Sequence, residues 1–508
     1  MADTLEDSDT DPTETFRGEV TVSSVIIDQL SSGLYESPAA CLKELINNSY
    51  DADAGEVILT VRPDASLIVI DDDGTGMSRL EFETHFKRIA RSHKREDSDA
   101  TDSGRPKIGK IGIGFVAANE ICERLEILST KKGSVELLHV TLDFAQMRLD
   151  ADQRMRGDES VSKGDYYGNV SDSAGADEHY TRVFLTEVKE ESMRILDGTR
   201  TGKGDSSLYG STADEVREAL TRPHLRSWSD FDLYSRSVLE IGLNVPVGYH
   251  QEWAGEHTAE VADLAVQAES LNFRVVVDGT ELRKPTVLEN PGGRSLLRRI
   301  EWSGEHVAAT GYMYARDKKL TPMELNGSLI RIRNAAVGGY DRGYLGYPGY
   351  KSPLFQDWIS VEIYADDRLE DALNIDRRTL RVTHPAFVEL QELLHAELDS
   401  FFGEVRKSLY GARSSERKTA GARAQAVEIE NLQRELGGNR GSGGDGSKIL
   451  EAATSGAVIP KKTLEALSRT YRAADVIRMV RYAATEAGVP SAQVDKLIDR
   501  LTETLLRS

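Results

Sequence analysis

The sequence predicts an α+β chain in three parts, and three observations predict it. Short β-branched runs mix with helix-period segments over the first 400 residues, the pattern of mixed sheet and helix. A length of 508 residues exceeds one ordinary core. After Phe402 the strand-like runs stop, and a stretch at 437–447 with six glycines in eleven residues reads as a linker. The expected organisation is a disordered acidic N-terminus at 1–15, a first α/β domain over 16–225, a second over 226–402, a helix over 403–436, the glycine-rich linker, and a helical C-terminal unit over 448–508.

The elements follow in order. Residues 1–15 are acidic and poor in apolar side chains, so they lack the means to bury a core. Pro38 precedes a helical run at 39–50, where proline is tolerated in a first turn. Residues 57–61 and 67–70 read as strands, and an acidic glycine-containing turn follows the second directly. Residues 80–89 carry a helical pattern. Residues 93–107 are polar and rich in Ser, Asp and basic residues, which reads as a mobile loop. Phe115 opens a further helix through 119, and strands are expected at 125–129, 135–142 and 181–185. The polar span 151–179 reads as an insertion or long surface loop. Residues 190–225 read as a connector carrying one helix at 213–220. The second domain is expected to hold strands at 273–277, 329–333 and 358–364 and a helix at 386–402. In the tail, Val494, Leu497, Ile498, Leu501 and Leu505 form one apolar helical stripe.

Composition excludes several classes. Hydrophobic content is 39%, enough for packed cores, and no apolar run is long enough to span a bilayer. The N-terminus has neither a basic nor an apolar leader segment. Cys41 and Cys122 are too few for a disulfide framework or a four-sulfur zinc site, so a reduced cytoplasmic protein is expected. The net charge of −21 argues against a surface coated in nucleic acid, though a local basic patch is compatible with it.

Three short signals fall in order along residues 44–115. In Glu44-Leu45-Ile46-Asn47-Asn48-Ser49-Tyr50-Asp51-Ala52, Glu44 and Asn48 lie four apart and share a helical face. Asn48 offers a neutral oxygen that suits Mg²⁺, which takes few protein ligands. Glu44, one turn earlier, can hold a water and accept its proton. In Asp71-Asp72-Asp73-Gly74-Thr75-Gly76-Met77, three aspartates at a strand end repel one another unless each has a partner. One carboxylate can accept a hydrogen bond from the exocyclic amine of adenine, while the glycines allow close backbone approach. In Gly109-Lys110-Ile111-Gly112-Ile113-Gly114-Phe115, glycines precede a helix start, where backbone N–H groups favour phosphate oxygens, and Lys107 or Lys110 adds positive charge. The order describes a pocket for ATP and Mg²⁺ with a general base beside the γ-phosphate.

These motifs resemble those of the GHKL ATPases, which include gyrase B, the ninety-kilodalton heat-shock chaperones, histidine kinases and MutL. Residues 44–48 are similar to the N-box, Asp72-x-Gly74-x-Gly76 to the adenine box, and Gly109-x-x-Gly112-x-Gly114-Phe115 to the lid glycines of the chaperones and MORC ATPases. Residues 29–54 are similar to the start of MutL proteins. The resemblance implies a Bergerat-type α/β sandwich followed by a transducer-like domain. It implies Glu44 as general base, Asn48 as Mg²⁺ ligand and Asp72 as the adenine acceptor, with Asp71 taking that role if the turn is shifted. Gly74, Gly76 and Met77 would line the adenine pocket, and Asp51 would belong to the same nucleotide site. Lys110, Gly112, Ile113, Gly114 and Phe115 would meet the phosphates from the lid formed with 93–107. Thr181 is the candidate for the family's late threonine motif, without the usual preceding glycine. Arg377 and Arg378 are candidates for the basic residue that reports the γ-phosphate.

The resemblance spans roughly residues 16–400. It implies slow, Mg²⁺-dependent ATP hydrolysis driving closure of a homodimer. The first expectation is a MutL- or MORC-like clamp acting on DNA or in genome defence, supported by six basic residues against one acidic over 406–423. A chaperone-like machine for protein clients and a nucleotide-gated module for a protein partner are the alternatives. The tail helices would hold the dimer together, and no membrane contact is expected.

Overall fold

The computed structural model describes residues 37–87, 100–109, 117–155, 166–172, 174–175, 177–200, 206–349, 351, 356–374, 377–435, 458–459, 461–467 and 473–507. The expectations for residues 1–34, 93–99 and 437–447, and for Lys110, Gly112, Ile113, Gly114 and Phe115, lie outside these. The chain divides into two units at Val405 and Arg406.

In the first unit, helix α1 (Pro38–Asp51) is followed by β1 (Glu56–Arg62), β2 (Leu67–Asp72), α2 (Arg79–Lys87), β3 (Cys122–Thr130) and β4 (Glu136–Asp143). Then come α3 (Phe144–Met155), β5 (Tyr167–Asp172), β6 (Tyr180–Val188), α4 (Glu190–Leu196), α5 (Ala213–Thr221), α6 (Leu233–Asn244) and α7 (Ala262–Glu269). An eight-stranded sheet runs β5-β4-β3-β6-β2-β1-β7-β8, with β7 (Arg274–Val277) and β8 (Thr280–Glu281) at one edge. Its ladders are antiparallel except for β1 with β7. The sheet thus draws strands from both sides of residue 225. Leu42, Leu45 and Ile46 of α1 join Val57, Leu59, Ile68, Ile70, Leu125 and Ile127 of the sheet in one buried cluster. Burying such side chains is worth about 1.5–3 kcal/mol each, so α1 is held to the sheet by packing.

A second sheet runs β12-β11-β13-β10-β9, from β9 (Ser295–Ser303), β10 (Ala308–Arg316), β11 (Gly327–Ile332), β12 (Ala335–Asp341) and β13 (Ile359–Ala365). Helix α6 packs on α1 and on β12, so one helix links α1 to the second sheet. Inside this layer Arg331 and Glu362 form a fully buried ion pair, and Tyr249 and Tyr312 donate to Glu362 at 2.8 and 2.7 Å. A buried carboxylate needs such partners. Helix α8 (Pro385–Val405) closes the unit.

Several expectations change. The span 151–179 is more than a loop: it holds the end of α3 and β5, an edge strand whose six residues are all exposed, so no alternation of apolar residues announced it. The connector 190–225 carries two helices. At 117–120 the chain makes a single helical residue and a short 3₁₀ turn. Among the described residues the second region has four strands beyond those expected, β8, β9, β10 and β12.

The second unit holds α9 (Gly411–Glu435), α10 (Lys461–Leu467), α11 (Ala473–Glu486) and α12 (Ser491–Arg507). Helix α12 packs on α11. In the expected stripe Val494 and Ile498 are buried, whereas Leu497 is 53% exposed. No described helix is long and apolar enough to cross a membrane.

Candidate functional site

Helix α1 starts where Ser37 accepts a hydrogen bond from the Ala40 amide at 3.2 Å, a normal cap for otherwise unpaired donors. Proline occupies the first turn. The helix is buried at eleven of its fourteen positions; the other three are Glu44, Asn48 and Asp51. Their spacing of four and three places them on one stripe. A helix enclosed elsewhere thus keeps one polar face open. Lys43 lies 3.3 Å from the Glu44 carboxylate.

The end of β2 answers the repulsion among its three aspartates. Asp71 is paired with Arg182, whose Nε donates at 3.0 Å. Asp73 accepts from the Gly55 and Glu56 amides at 2.7 and 2.8 Å. Asp72, only 6% exposed, accepts from the Ser49 hydroxyl at 2.7 Å and the Gly74 amide at 3.0 Å. Burial pushes its pKa up to about 6, against the opposing pull of the bonds from Ser49, Gly74 and Thr181. The alternation of a strand separates the three: Asp72 shares the buried phase of Ile68 and Ile70, and Asp71 does not.

Gly76 has φ +67, and a Cβ there would sit 1.9 Å from the Thr130 carbonyl oxygen. The turn therefore requires glycine on two counts. The Met77 amide donates to Ser129 Oγ at 2.9 Å, and Ser129 Oγ lies 3.0 Å from Thr181 Oγ1. Thr181 is buried and pairs with Asp72 across the β2–β6 ladder. His179 Nδ1 approaches the Gly74 carbonyl at 2.8 Å. Asn48, Asp72, Gly74, Gly76, Met77 and Thr181 are thus brought around adjoining ends of α1, β2, β3 and β6.

Asp51 is placed differently from a simple ligand-contact residue. Its two carboxylate oxygens accept the Ile108 and Gly109 amides, each at 2.6 Å, and so hold the entry to the glycine segment. Arg105 donates to the Ala54 and Asn272 carbonyls at 2.6 and 3.0 Å. Arg333 donates to the Lys107 carbonyl. The described part of the expected lid, residues 100–109, is therefore anchored at its stem.

Arg377 has its guanidinium 3.7 Å from Glu370. Arg378 lines a cleft of about 580 Å³ together with Lys43, Trp228, Glu240 and Tyr340. The structure adds residues that sequence reasoning passed over: Ser49, Ser129, His179, Arg333 and Glu370. Ser49 had a signal, a polar residue in the buried phase of an amphipathic helix; the others are joined only by the fold.

The donor set suits a purine nucleotide. Asp72 is a buried acceptor, the Gly74–Gly76 turn presents backbone, and Thr130 Oγ1 is buried without a hydrogen-bond partner among the described residues. Residues 35–174 match the family model described as histidine kinase-, DNA gyrase B- and HSP90-like ATPase. Over this segment the chain is similar to the GHKL ATPases. A putative type II restriction enzyme, HgiDII, of Herpetosiphon aurantiacus is 34% identical to the chain over 171 residues, 34% of this chain and 26% of that protein. The chaperone protein HtpG of Mesorhizobium japonicum is 29% identical over 267 residues, 43% of this chain and 42% of its own length. HtpG of Ruthia magnifica is 28% identical over 142 residues, 24% and 23% of the two chains. The chain thus spans between about a quarter and two fifths of these relatives. Thr181 and Arg377 lie beyond the segment matched by the GHKL model.

Proposed function

We propose that the chain hydrolyses ATP with Mg²⁺ and uses the cycle to close a homodimer around DNA, as a MutL- or MORC-like clamp or in genome defence. The observation that carries the catalytic part is the single open stripe of α1. Glu44 is the general base that takes the proton of the attacking water, and Asn48 is the Mg²⁺ ligand on the same face. Asp72, ionised above about pH 6, accepts the adenine amine, with Gly74, Gly76, Met77 and Thr181 around it. Asp51 acts on the glycine segment through the 108–109 amides, and Lys110, Gly112, Ile113, Gly114 and Phe115 would meet the phosphates. Arg377 is the reporter of the γ-phosphate. Bound Mg-ATP supplies the electrophilic phosphorus; the protein supplies position, a base and a charge-sensing loop.

The DNA-directed reading is supported by the relative named as a restriction enzyme and by exposed Lys407, Arg417 and Lys418 in the second unit. The relatives named as chaperones favour a second reading, an ATPase acting on protein clients. A nucleotide-gated module for a protein partner is the third. One experiment separates them: sizing of the Glu44→Ala protein with ATP, with and without DNA, beside ATPase assays. The clamp reading expects bound but unhydrolysed ATP, a nucleotide-dependent dimer, and DNA retention that falls with salt. Hydrolysis at the normal rate removes Glu44 from the mechanism. A dimer indifferent to DNA that suppresses client aggregation supports the chaperone reading instead.

A further inference from the structure

Two arginines converge on one buried carboxylate between the lid stem and the Arg377 loop. Glu370 lies in the 3₁₀ turn Asp367–Ala372 and is 6% exposed. Arg333 Nη2 lies 3.0 Å from Glu370 Oε2, and Arg377 Nη1 lies 3.7 Å from Glu370 Oε1. Each oxygen faces one guanidinium. Arg333 also reaches the Lys107 carbonyl and pairs through Nε with Asp367 at 2.9 Å. Lys107 directly precedes the two amides that Asp51 holds.

The backbone marks the same two residues. Arg333 and Arg377 both have φ +52, a left-handed conformation that is strained for a residue with a side chain and persists where the surroundings over-determine it. A buried carboxylate within ion-pair reach of both guanidiniums is one such surrounding charge. The loop is also held close to the sheet: a Cβ on Gly338 of β12 would sit 2.6 Å from the Arg378 carbonyl oxygen. The Arg378 side chain shares a cleft with Lys43, whose ammonium touches Glu44. A line of charge contacts therefore runs from the Lys107 carbonyl through Arg333 and Glu370 to Arg377, and the next residue, Arg378, opens on the cleft that Lys43 also lines.

We propose that Glu370 is a positioning residue that couples the stem of the glycine segment to the loop bearing Arg377. Because both arginines share one carboxylate, movement of residues 107–109 shifts the partner that holds Arg377. The inference rests on the roles given above to Glu44 and Arg377.

The test uses the full chain with Glu370→Gln, Glu370→Asp, Arg377→Gln and the double variant Glu370→Gln/Arg377→Gln. Steady-state ATPase and the affinities for a non-hydrolysed ATP analogue and for ADP are measured. Glu370→Gln keeps the shape and removes the charge. It is expected to lower kcat about tenfold with KM held within about threefold, and to narrow the gap between analogue and ADP affinities. Glu370→Asp is expected to recover part of the rate. The double variant should lose no more than Arg377→Gln alone, since coupled residues are not additive. Wild-type kcat in Glu370→Gln, or additive losses in the double variant, overturns the proposal. Should Glu370→Gln not fold, amide exchange in Arg377→Gln decides: faster exchange at Ile108 and Gly109 supports the coupling, and unchanged exchange refutes it. Normal hydrolysis by Glu44→Ala would sink the underlying reading, whereas an inactive Glu44→Ala beside a wild-type Glu370→Gln would remove the coupling alone.

Discussion

Replacing Asp72 with asparagine separates what this residue does for the fold from what it does for the ligand. Asp72 is buried and its pKa is raised from 3.8 to about 6, first by burial. The folded state holds the proton more tightly than the unfolded chain does. Its contribution to stability is therefore greatest below about pH 4 and is lost as pH rises through the window from 3.8 to about 6. The full difference is roughly 3 kcal/mol, at about 1.4 kcal/mol per pH unit. Asparagine carries no such cost. Its oxygen can keep the Gly74 amide, and its NH₂ can face Ser49, whose hydroxyl then turns to the Leu45 carbonyl, 3.4 Å away. Asp72→Asn should thus leave the nucleotide-free protein as stable as wild type at neutral pH, or up to about 3 kcal/mol more stable, and flatten its stability between about pH 4 and pH 6. Nucleotide binding should move the other way. A charged acceptor facing the adenine amine is worth about 1.5–3 kcal/mol, so affinity should fall roughly 10- to 100-fold. In wild type, affinity should also decline below about pH 6 as Asp72 takes up its proton, and subtraction of the variant's profile removes the titration of ATP itself. Calorimetric titration with a non-hydrolysed analogue and thermal unfolding across pH measure both effects. Wild-type affinity in the variant, or an unchanged pH slope, would refute the assignment.

Further outcomes follow from the same geometry. Glu44→Ala should bind ATP normally and lose about 100-fold or more in kcat, the usual contribution of a positioned base. Asp51→Ala should speed amide exchange at Ile108 and Gly109 by about tenfold or more, because two charge-assisted bonds to these amides disappear; unchanged protection there would contradict the stem contact. Gly76→Ala should cost roughly 2–4 kcal/mol in thermal unfolding, from positive φ and overlap with Thr130. Removal of residues 437–508 should leave ATP affinity unaltered and weaken dimerisation in sedimentation. Equal dimerisation without nucleotide would remove the tail from the assembly.

Much of the candidate site's geometry was legible because it is local. Glu44 and Asn48 sit one turn apart on a helix whose other apolar positions repeat with the helical period. The turn at Gly74 and Gly76 is written in residues that tolerate its backbone. The burial of Asp72 and the outward placement of Asp71 were also present as the two-residue period of β2. What stayed hidden depends on contacts distant in sequence. Arg333 reaches Lys107 across 226 residues, and neither residue carries a local mark. Asp51 looks like one more acid of the N-terminal motif until the fold brings Ile108 and Gly109 to it. Strand β5 is exposed throughout, and an edge strand without a buried face has no hydrophobic rhythm to read. In the second sheet, Arg331 and Glu362 occupy buried strand positions, so core residues there look like surface ones.

The pairing of β1 with β7 bears on how the region matched by the family model can be isolated. Val57 and Leu59 lie opposite Val275 and Val277, and Asp278, at the turn after β7, accepts the Val61 amide at 2.8 Å and the Tyr234 hydroxyl at 3.0 Å. A fragment cut at residue 225 would strip β1 of that neighbour and leave a row of unpaired amides and carbonyls beside the strand that leads into the Gly74–Gly76 turn. Such an open border recruits strands from other molecules. Self-association of the short fragment would then report a severed sheet rather than a clamp closing, and a cut beyond Glu281 would be needed before its oligomeric state carried meaning.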